Sequence, residues 1–136
     1  MVPKVTVAIP TYNRATLLKQ CLETILRQTF RDFEVIVSDN CSPDATPEAV
    51  RAFNDPRIRY YRNESNLGVF PNMNRCIDRA RGQYIAIVHD DDLFAPQFIE
   101  QEARLLDEHP SVGMVHCAAY ETDPDGVSQR LIKVYP

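Results

Sequence analysis

Asp90, Asp91 and Asp92 follow directly on the apolar run Tyr84–Val88, in the stretch YIAIVHDDDLFAP. Aspartate is a poor strand former and adjacent carboxylates repel one another, so such a triplet needs a reason. Hard divalent cations supply one: Mg²⁺ and Mn²⁺ take oxygen ligands, commonly one or two carboxylates completed by substrate phosphates. On an extended segment Asp90 and Asp92 share a side and Asp91 faces the other. Where the strand turns into a loop that alternation loosens. One aspartate can then hold a metal while a neighbour accepts hydrogen bonds from a sugar hydroxyl. The plainer alternative is a helix-initiating loop, since aspartate favours helix N-termini. The position of the triplet, directly after a buried strand, favours the site.

Other residues could serve the same chemistry. Tyr12 can stack on a base, and Asp39 can accept a hydrogen bond from a base N–H. A tyrosine packed on a loop and an aspartate capping the turn at Asn40–Pro43 are the structural alternatives. Asn66-Leu67-Gly68 reads as a turn whose glycine permits close backbone approach to a ligand. His89 reads as a strand-end residue, because no cysteine accompanies it at zinc-like spacing. Ser38, Ser42 and the cysteines show no nucleophile–base pairing, which leaves covalent catalysis with little support.

These groups meet only if the elements bring them together. Val5–Ile9 is a short β-rich run closed by Pro10, and Ala15–Gln28 carries an i, i+3/i+4 apolar stripe of Leu17, Leu18, Cys21, Leu22, Ile25 and Leu26. Phe33–Ser38 is the second strand, and Thr46-Pro47-Glu48 opens a helix to about Phe53. Arg57–Arg62 is a third strand, Pro71–Ala80 a helix ended by Gly82. Tyr84–Val88 is continuously apolar, as the centre of a parallel sheet would be. Pro96–Glu108 is a helix with Phe98, Ile99, Ala103, Leu105 and Leu106 inward, and Val112–Thr122 the last strong strand. Asp123-Pro124-Asp125-Gly126 is a turn, from which Leu131–Tyr135 returns antiparallel. Strand and helix alternate, which predicts an α/β fold: a mainly parallel, Rossmann-like sheet flanked by helices on both faces, with a C-terminal β-hairpin. In such sheets ligands bind at the carboxyl ends of the strands. Pro10–Arg14, Asp39-Asn40, Asn63–Gly68 and Asp90–Asp92 all fall there.

The 136 residues fit one domain. A net charge of −4, with dispersed arginines, leaves no footprint for nucleic acid. The four cysteines lack C-x-x-C spacing and read as reduced thiols of a cytoplasmic protein. No apolar run approaches the roughly 20 residues of a transmembrane helix. The N-terminus enters a strand without the features of a signal peptide.

VTVAIPTYNRATLLKQCLETILRQTFRDFEVIVSDNCSPDAT, followed by NESNLGVFPNMNRCIDRARGQYIAIVHDDDLFAP, resembles the family-2 glycosyltransferases, inverting enzymes with the GT-A fold. The opening P-x-Y-N-R, the strand-ending S-D-N-x-S, the N-x-G and the D-D-D-x-x-x-P occur in the family's order. The resemblance implies a nucleotide-diphospho-sugar site formed by Pro10, Thr11, Tyr12, Arg14, Asp39, Asn66, Gly68, Asn74 and Asp90. It implies Mn²⁺ or Mg²⁺ on Asp91, the principal ligand, with Asp92 placed at the metal and either Asp90 or Asp92 as the assisting carboxylate. UDP- or dTDP-sugars are favoured as donors, and a glycan or lipid-linked molecule as acceptor. Two positions depart from the pattern: His89 stands where many members carry Asp, and Met73 where many carry Arg. The family's general base lies in an acceptor-binding half, expected beyond residue 136. The resemblance then implies that the 136 residues form the donor-binding part of a longer protein, which other regions or partners would bring to the inner face of a membrane.

Three other classes compete. A non-catalytic nucleotide-binding module would use the same rim. A metal-dependent nucleotidyltransferase usually has a basic, Gly-rich phosphate loop, whereas none of the four glycines follows the first strand here. A phosphorylation-switch receiver needs acidic residues after its first strand and a lysine after its last. Here the first strand ends in PTYNR, and the late lysine, Lys133, lies on the terminal hairpin.

Overall fold

A computed structural model of the chain describes residues 2–123 and 127–132. Its elements run β1 (Val5–Thr11), α1 (Ala15–Leu26), β2 (Phe33–Asp39), α2 (Thr46–Arg51), β3 (Ile58–Arg62), α3 (Val69–Arg79), β4 (Tyr84–Ile87), α4 (Phe98–Glu108), β5 (Ala119–Thr122) and β6 (Ser128–Ile132). Four parallel strands form one sheet in the order β3-β2-β1-β4, and β5 and β6 form a separate antiparallel pair.

Side-chain alternation along each strand decides which helix covers which face. Val5, Val7 and Ile9 of β1, with Phe33, Val35 and Val37 of β2, face one side. There they meet Leu18, Leu22 and Ile25 of α1, Val50 of α2, and Ile99 and Ala103 of α4. The buried α1 residues Leu18, Cys21, Leu22 and Ile25 recur at helical spacing, so one stripe of the helix does all the packing. Burying each Leu or Ile stabilises by roughly 1.5–3 kcal/mol. Ala8 and Ile36 face the other side and meet Cys76 of α3. That face also holds a buried charge, Glu34, which accepts from Thr6 Oγ1 (2.9 Å), Arg59 Nη1 (2.9 Å) and Arg81 Nε (2.9 Å).

The connection from α3 into β4 passes directly over β1. A Cβ added to Gly82 would come within 2.7 Å of Val5 C and 2.8 Å of Tyr84 O, both backbone atoms, so glycine is required for the close approach.

The strands and helices stand where the sequence places them, with boundaries shifted by a few residues. Pro10 lies inside β1 rather than closing it, opposite Ser38. Helix α1 ends at Leu26, two residues short of Gln28, and Leu17 and Leu105 are exposed rather than inward.

Two expectations fail. The apolar run Tyr84–Val88 is not central: β4 stands at the end of the strand order and pairs with β1 alone. Tyr84, Ala86 and Val88 pack into the α1/α4 core, while Ile85 and Ile87 on the opposite face stay 41% and 38% exposed. Continuous apolarity therefore reflects a face that no described helix covers. The expected strand Val112–Thr122 shrinks to Ala119–Thr122. It pairs with β6 and does not join the main sheet. The 124–126 turn residues, and Lys133 with the rest of the expected return through Tyr135, lie outside the described residues; β6 itself ends at Ile132.

Candidate functional site

The site is built as one row across the carboxyl ends of the parallel strands. In the β1–β2 register Thr11 faces Asp39, and in the β2–β3 register Asp39 faces Arg62. Val5 faces Tyr84 and Ala8 faces Ile87 in the β1–β4 pair. Carried past the last ladder pair, that register sets Asp90 opposite Thr11. The Thr11 hydroxyl closes the row by donating to Asp90 Oδ2 at 2.6 Å. Arg62, Asp39, Thr11 and Asp90 thus lie side by side.

The acidic segment does not keep strand alternation. A turn begins at Asp90, and the Asp92 N–H donates to the His89 carbonyl at 3.3 Å. Asp90 points inward and is buried, while Asp91 and Asp92 are exposed. Asp90 and Asp91 therefore share a partner, and Asp90 and Asp92 do not share a side. Arg14 Nη1 donates to Asp90 Oδ1 at 3.1 Å and to Asp91 Oδ2 at 2.8 Å. The charge of Asp90 leads the rise of the Arg14 pKa above its ordinary value. Burial, then the neighbouring Asp91 charge, pushes Asp92 above the usual carboxylate range, against a lowering from His89. Beneath the triplet the Cys21 thiol is pushed up to about 12, first by burial and then by the three aspartates.

Asp39 is fully buried. Its Oδ1 accepts the Ser42 N–H at 2.8 Å, the turn cap considered from the sequence, and its Oδ2 accepts the Tyr60 hydroxyl. Arg62 Nε lies 3.9 Å from Oδ2. Burial and the charge of Asp39 hold the Tyr60 hydroxyl protonated well above its ordinary range. Tyr12, in contrast, is 44% exposed on the rim and presents its ring to solvent.

The Asn66–Gly68 turn is held by Asn40, which the sequence set at the strand-end rim without a role in the turn. Asn40 uses its whole amide on this segment. Its Nδ2 donates to Asn66 Oδ1 (2.7 Å) and the Gly68 carbonyl (3.2 Å). Its Oδ1 accepts from Leu67 N (2.9 Å) and Asn63 Nδ2 (3.1 Å). Asn63 also donates to Asn72 Oδ1, which accepts from Ser38 Oγ as well. Gly68 has φ 86, the left-handed region that favours glycine. The density of asparagines near the ends of β2 and β3 was the available signal. Asn74, by contrast, is exposed on α3 and takes no part in this network among the described residues.

The structure thus brings Thr11, Arg14, Asp90 and Asp91 into direct contact, with Pro10, Tyr12 and Asp39 on the adjoining strand ends. Asp92 and Asn74 stand apart from that contact set. Among the described residues no group of three or more His, Cys, Asp or Glu side chains converges as a ready-made metal centre. The donor set nevertheless suits a hard cation. Exposed carboxylate oxygens beside an open rim are what Mg²⁺ or Mn²⁺ uses when phosphate oxygens complete its shell.

The model of the family described as glycosyl transferase family 2 matches residues 6–134. The GalNAc(5)-diNAcBac-PP-undecaprenol beta-1,3-glucosyltransferase of Campylobacter jejuni is 39% identical over 93 residues, 66% of this chain and 30% of that protein. Among solved structures, S. aureus TarS 1-349 in complex with UDP-GlcNAc is 29% identical with a TM-score of 0.75, over 79% of this chain and 32% of that one. The mannosyltransferase PcManGT from Pyrobaculum calidifontis, in complex with GDP-Man and Mn²⁺, is 31% identical with a TM-score of 0.71, over 78% of this chain and 33% of that one. The chain spans less than half the length of the curated relatives it matches first. No described helix is long and apolar enough to cross a membrane. With the fold, the rim and the matched residues agreeing, the chain belongs to glycosyl transferase family 2.

Proposed function

We propose that the strand-end rim binds the donor of a glycosyl transfer, a nucleotide-diphospho-sugar, for inverting transfer of its sugar to an acceptor hydroxyl. The observation that carries this reading is the contact set Thr11–Asp90–Arg14–Asp91: two carboxylates and a half-exposed guanidinium at one strand-end row. Tyr12 stacks on the base, and Asn66 and Gly68 border the donor through the turn that Asn40 holds. Arg14, exposed enough to turn from Asp91, places positive charge against the diphosphate. Asp91 and Asp92 would hold a divalent metal, which when bound neutralises charge on the departing diphosphate. Asp90, fixed by Thr11 and Arg14, orients the ribose end.

The relatives support this chemistry: TarS is solved in complex with UDP-GlcNAc, and PcManGT in complex with GDP-Man and Mn²⁺. The Campylobacter glucosyltransferase's name specifies a polyprenyl-linked acceptor, which supports a glycan or lipid-linked acceptor here. The acceptor hydroxyl must lose a proton as it attacks the anomeric carbon. We assign that step to a carboxylate beyond residue 136, so these residues alone bind donor without transferring sugar.

The test is a thermal-shift panel of UDP, dTDP, GDP and CMP, each with and without Mn²⁺. A ligand of the folded state raises its apparent stability by mass action. Metal-dependent stabilisation by one diphosphate, absent from Asp91→Ala, is the expected result. No shift with any nucleotide would sink the proposal.

A further inference from the structure

Tyr12 and Arg14 do their proposed work from a short loop that no core packing fixes. Both side chains are about half exposed, and the intervening Asn13 has φ 56, a left-handed conformation that asparagine adopts more readily than other non-glycine residues and that its hydrogen bonds fix here. Arg14 is also the N-cap residue of α1, and its side chain caps nothing. The first N–H groups of the helix therefore need partners from elsewhere.

The loop after β2 supplies a partner for the first of them, Ala15, and holds the residue before the N-cap, Asn13. The Asn13 N–H donates to Ser42 Oγ at 2.9 Å, and the Ala15 N–H donates to Asp44 Oδ2 at 2.9 Å. The other oxygen of Asp44 accepts from the Thr46 N–H (3.1 Å) and the Thr46 hydroxyl (2.6 Å) at the start of α2. One carboxylate thus ties the first turns of two helices together. The Asn40 N–H, donating to the Thr11 carbonyl at 2.9 Å, holds the strand side of the same loop. Burial raises the Asp44 pKa, but these donors outweigh it and leave the carboxyl below its ordinary range.

We infer that Asp44, seconded by Ser42, is a positioning residue for the diphosphate end of the donor site, acting through the first turn of α1 on Tyr12 and Arg14. The inference rests on the proposed donor-binding function. Loss of the cap frees Asn13 to leave its left-handed conformation. Arg14 then moves off the 3.1 Å contact with Asp90 that anchors it beside the diphosphate, while the Thr11–Asp90 bond stays within the strand row.

The experiment is calorimetric titration of the chain with UDP and GDP in the presence of Mn²⁺, well below the melting temperature of each variant. Asp44→Asn, which keeps shape but loses one set of acceptors, should weaken binding about tenfold, the equivalent of one lost cap. Ser42→Ala should weaken it in the same direction. Thr46→Val is the control for a merely structural role: it removes the hydroxyl bond to Asp44 Oδ1 but keeps the Thr46 N–H bond and the Ala15 cap, and should lower the melting temperature while leaving affinity unchanged. On an Arg14→Ala background, Asp44→Asn should cost little further affinity, because the two act in series. Parental affinity in both Asp44→Asn and Ser42→Ala overturns the inference alone, as does full additivity with Arg14→Ala. Absence of any nucleotide binding by the parent chain overturns the donor-site reading and this inference with it.

Discussion

Glu34 shows how a single carboxylate sets a measurable pH dependence far from the rim. Burial pushes its pKa up, but hydrogen bonds from Arg81, Arg59 and Thr6 win and hold it at about 2. A folded-state value below the unfolded one means that the carboxylate contributes stability above its unfolded pKa. That contribution is lost as pH falls through the range from about 4.5 to about 2. It amounts to something on the order of 3 kcal/mol at neutral pH. Glu34→Gln should therefore lower stability at pH 7 and flatten the acid limb, read from urea melts across that window; an unchanged limb would refute it. Cys41 offers a second test. Its φ of 66 is unfavourable for any residue with a Cβ, and its thiol makes only long contacts, 3.6 Å to the Glu64 carbonyl and 3.9 Å from Arg62. Cys41→Gly is expected to stabilise by about 0.5–1 kcal/mol and Cys41→Val to destabilise by at least as much. The sequence made Asp90 and Asp91 visible because charges after an apolar run stand out. It set Asn40 on the rim and a cap in the loop holding Asp44, but not the partners they hold, because a satisfied buried amide and a cap given to a helix from another loop leave no local pattern.

At the level of elements, the alternation of periods was enough to read most strands and helices, because each buried face repeats at its own spacing. The place of a strand within the sheet was not legible. An apolar run reads the same whether both its faces are covered or one awaits cover, which is why β4 looked central. Gly82 is the element-scale feature with the sharpest consequence. Its missing side chain lets the chain enter β4 against the backbone of β1, and the crowding atoms there cannot rotate away. Gly82→Ala should cost more than about 2 kcal/mol, an overpacking penalty, and lower the denaturation midpoint accordingly. A midpoint within error of the parent would show that the backbone can yield.

For the molecule as a whole, the uncovered side of β4 matters most. Ile85 and Ile87 face outward beside a strand edge that is unpaired among the described residues, and exposed apolar strand edges are sites of association. Ile87→Lys should reduce concentration-dependent light scattering of the chain without lowering its melting temperature. Equal scattering by parent and variant would place the association elsewhere. The four-stranded core carries helices on both faces, and the family match runs over residues 6–134, nearly the whole chain. Acceptor identity was never legible here. Nothing in the rim chemistry depends on the molecule that receives the sugar.

The row Arg62–Asp39–Thr11–Asp90 exists through register, since each member sits opposite the next only while the strands keep their lengths. Adding or deleting one residue in β1 would move Thr11 by about 3.3 Å and turn it to the other face of the sheet. The rim is therefore far more vulnerable to frame-preserving indels in its strands than to conservative exchanges at its own positions. Over evolutionary time, length variation in this chain should collect in its loops and spare β1.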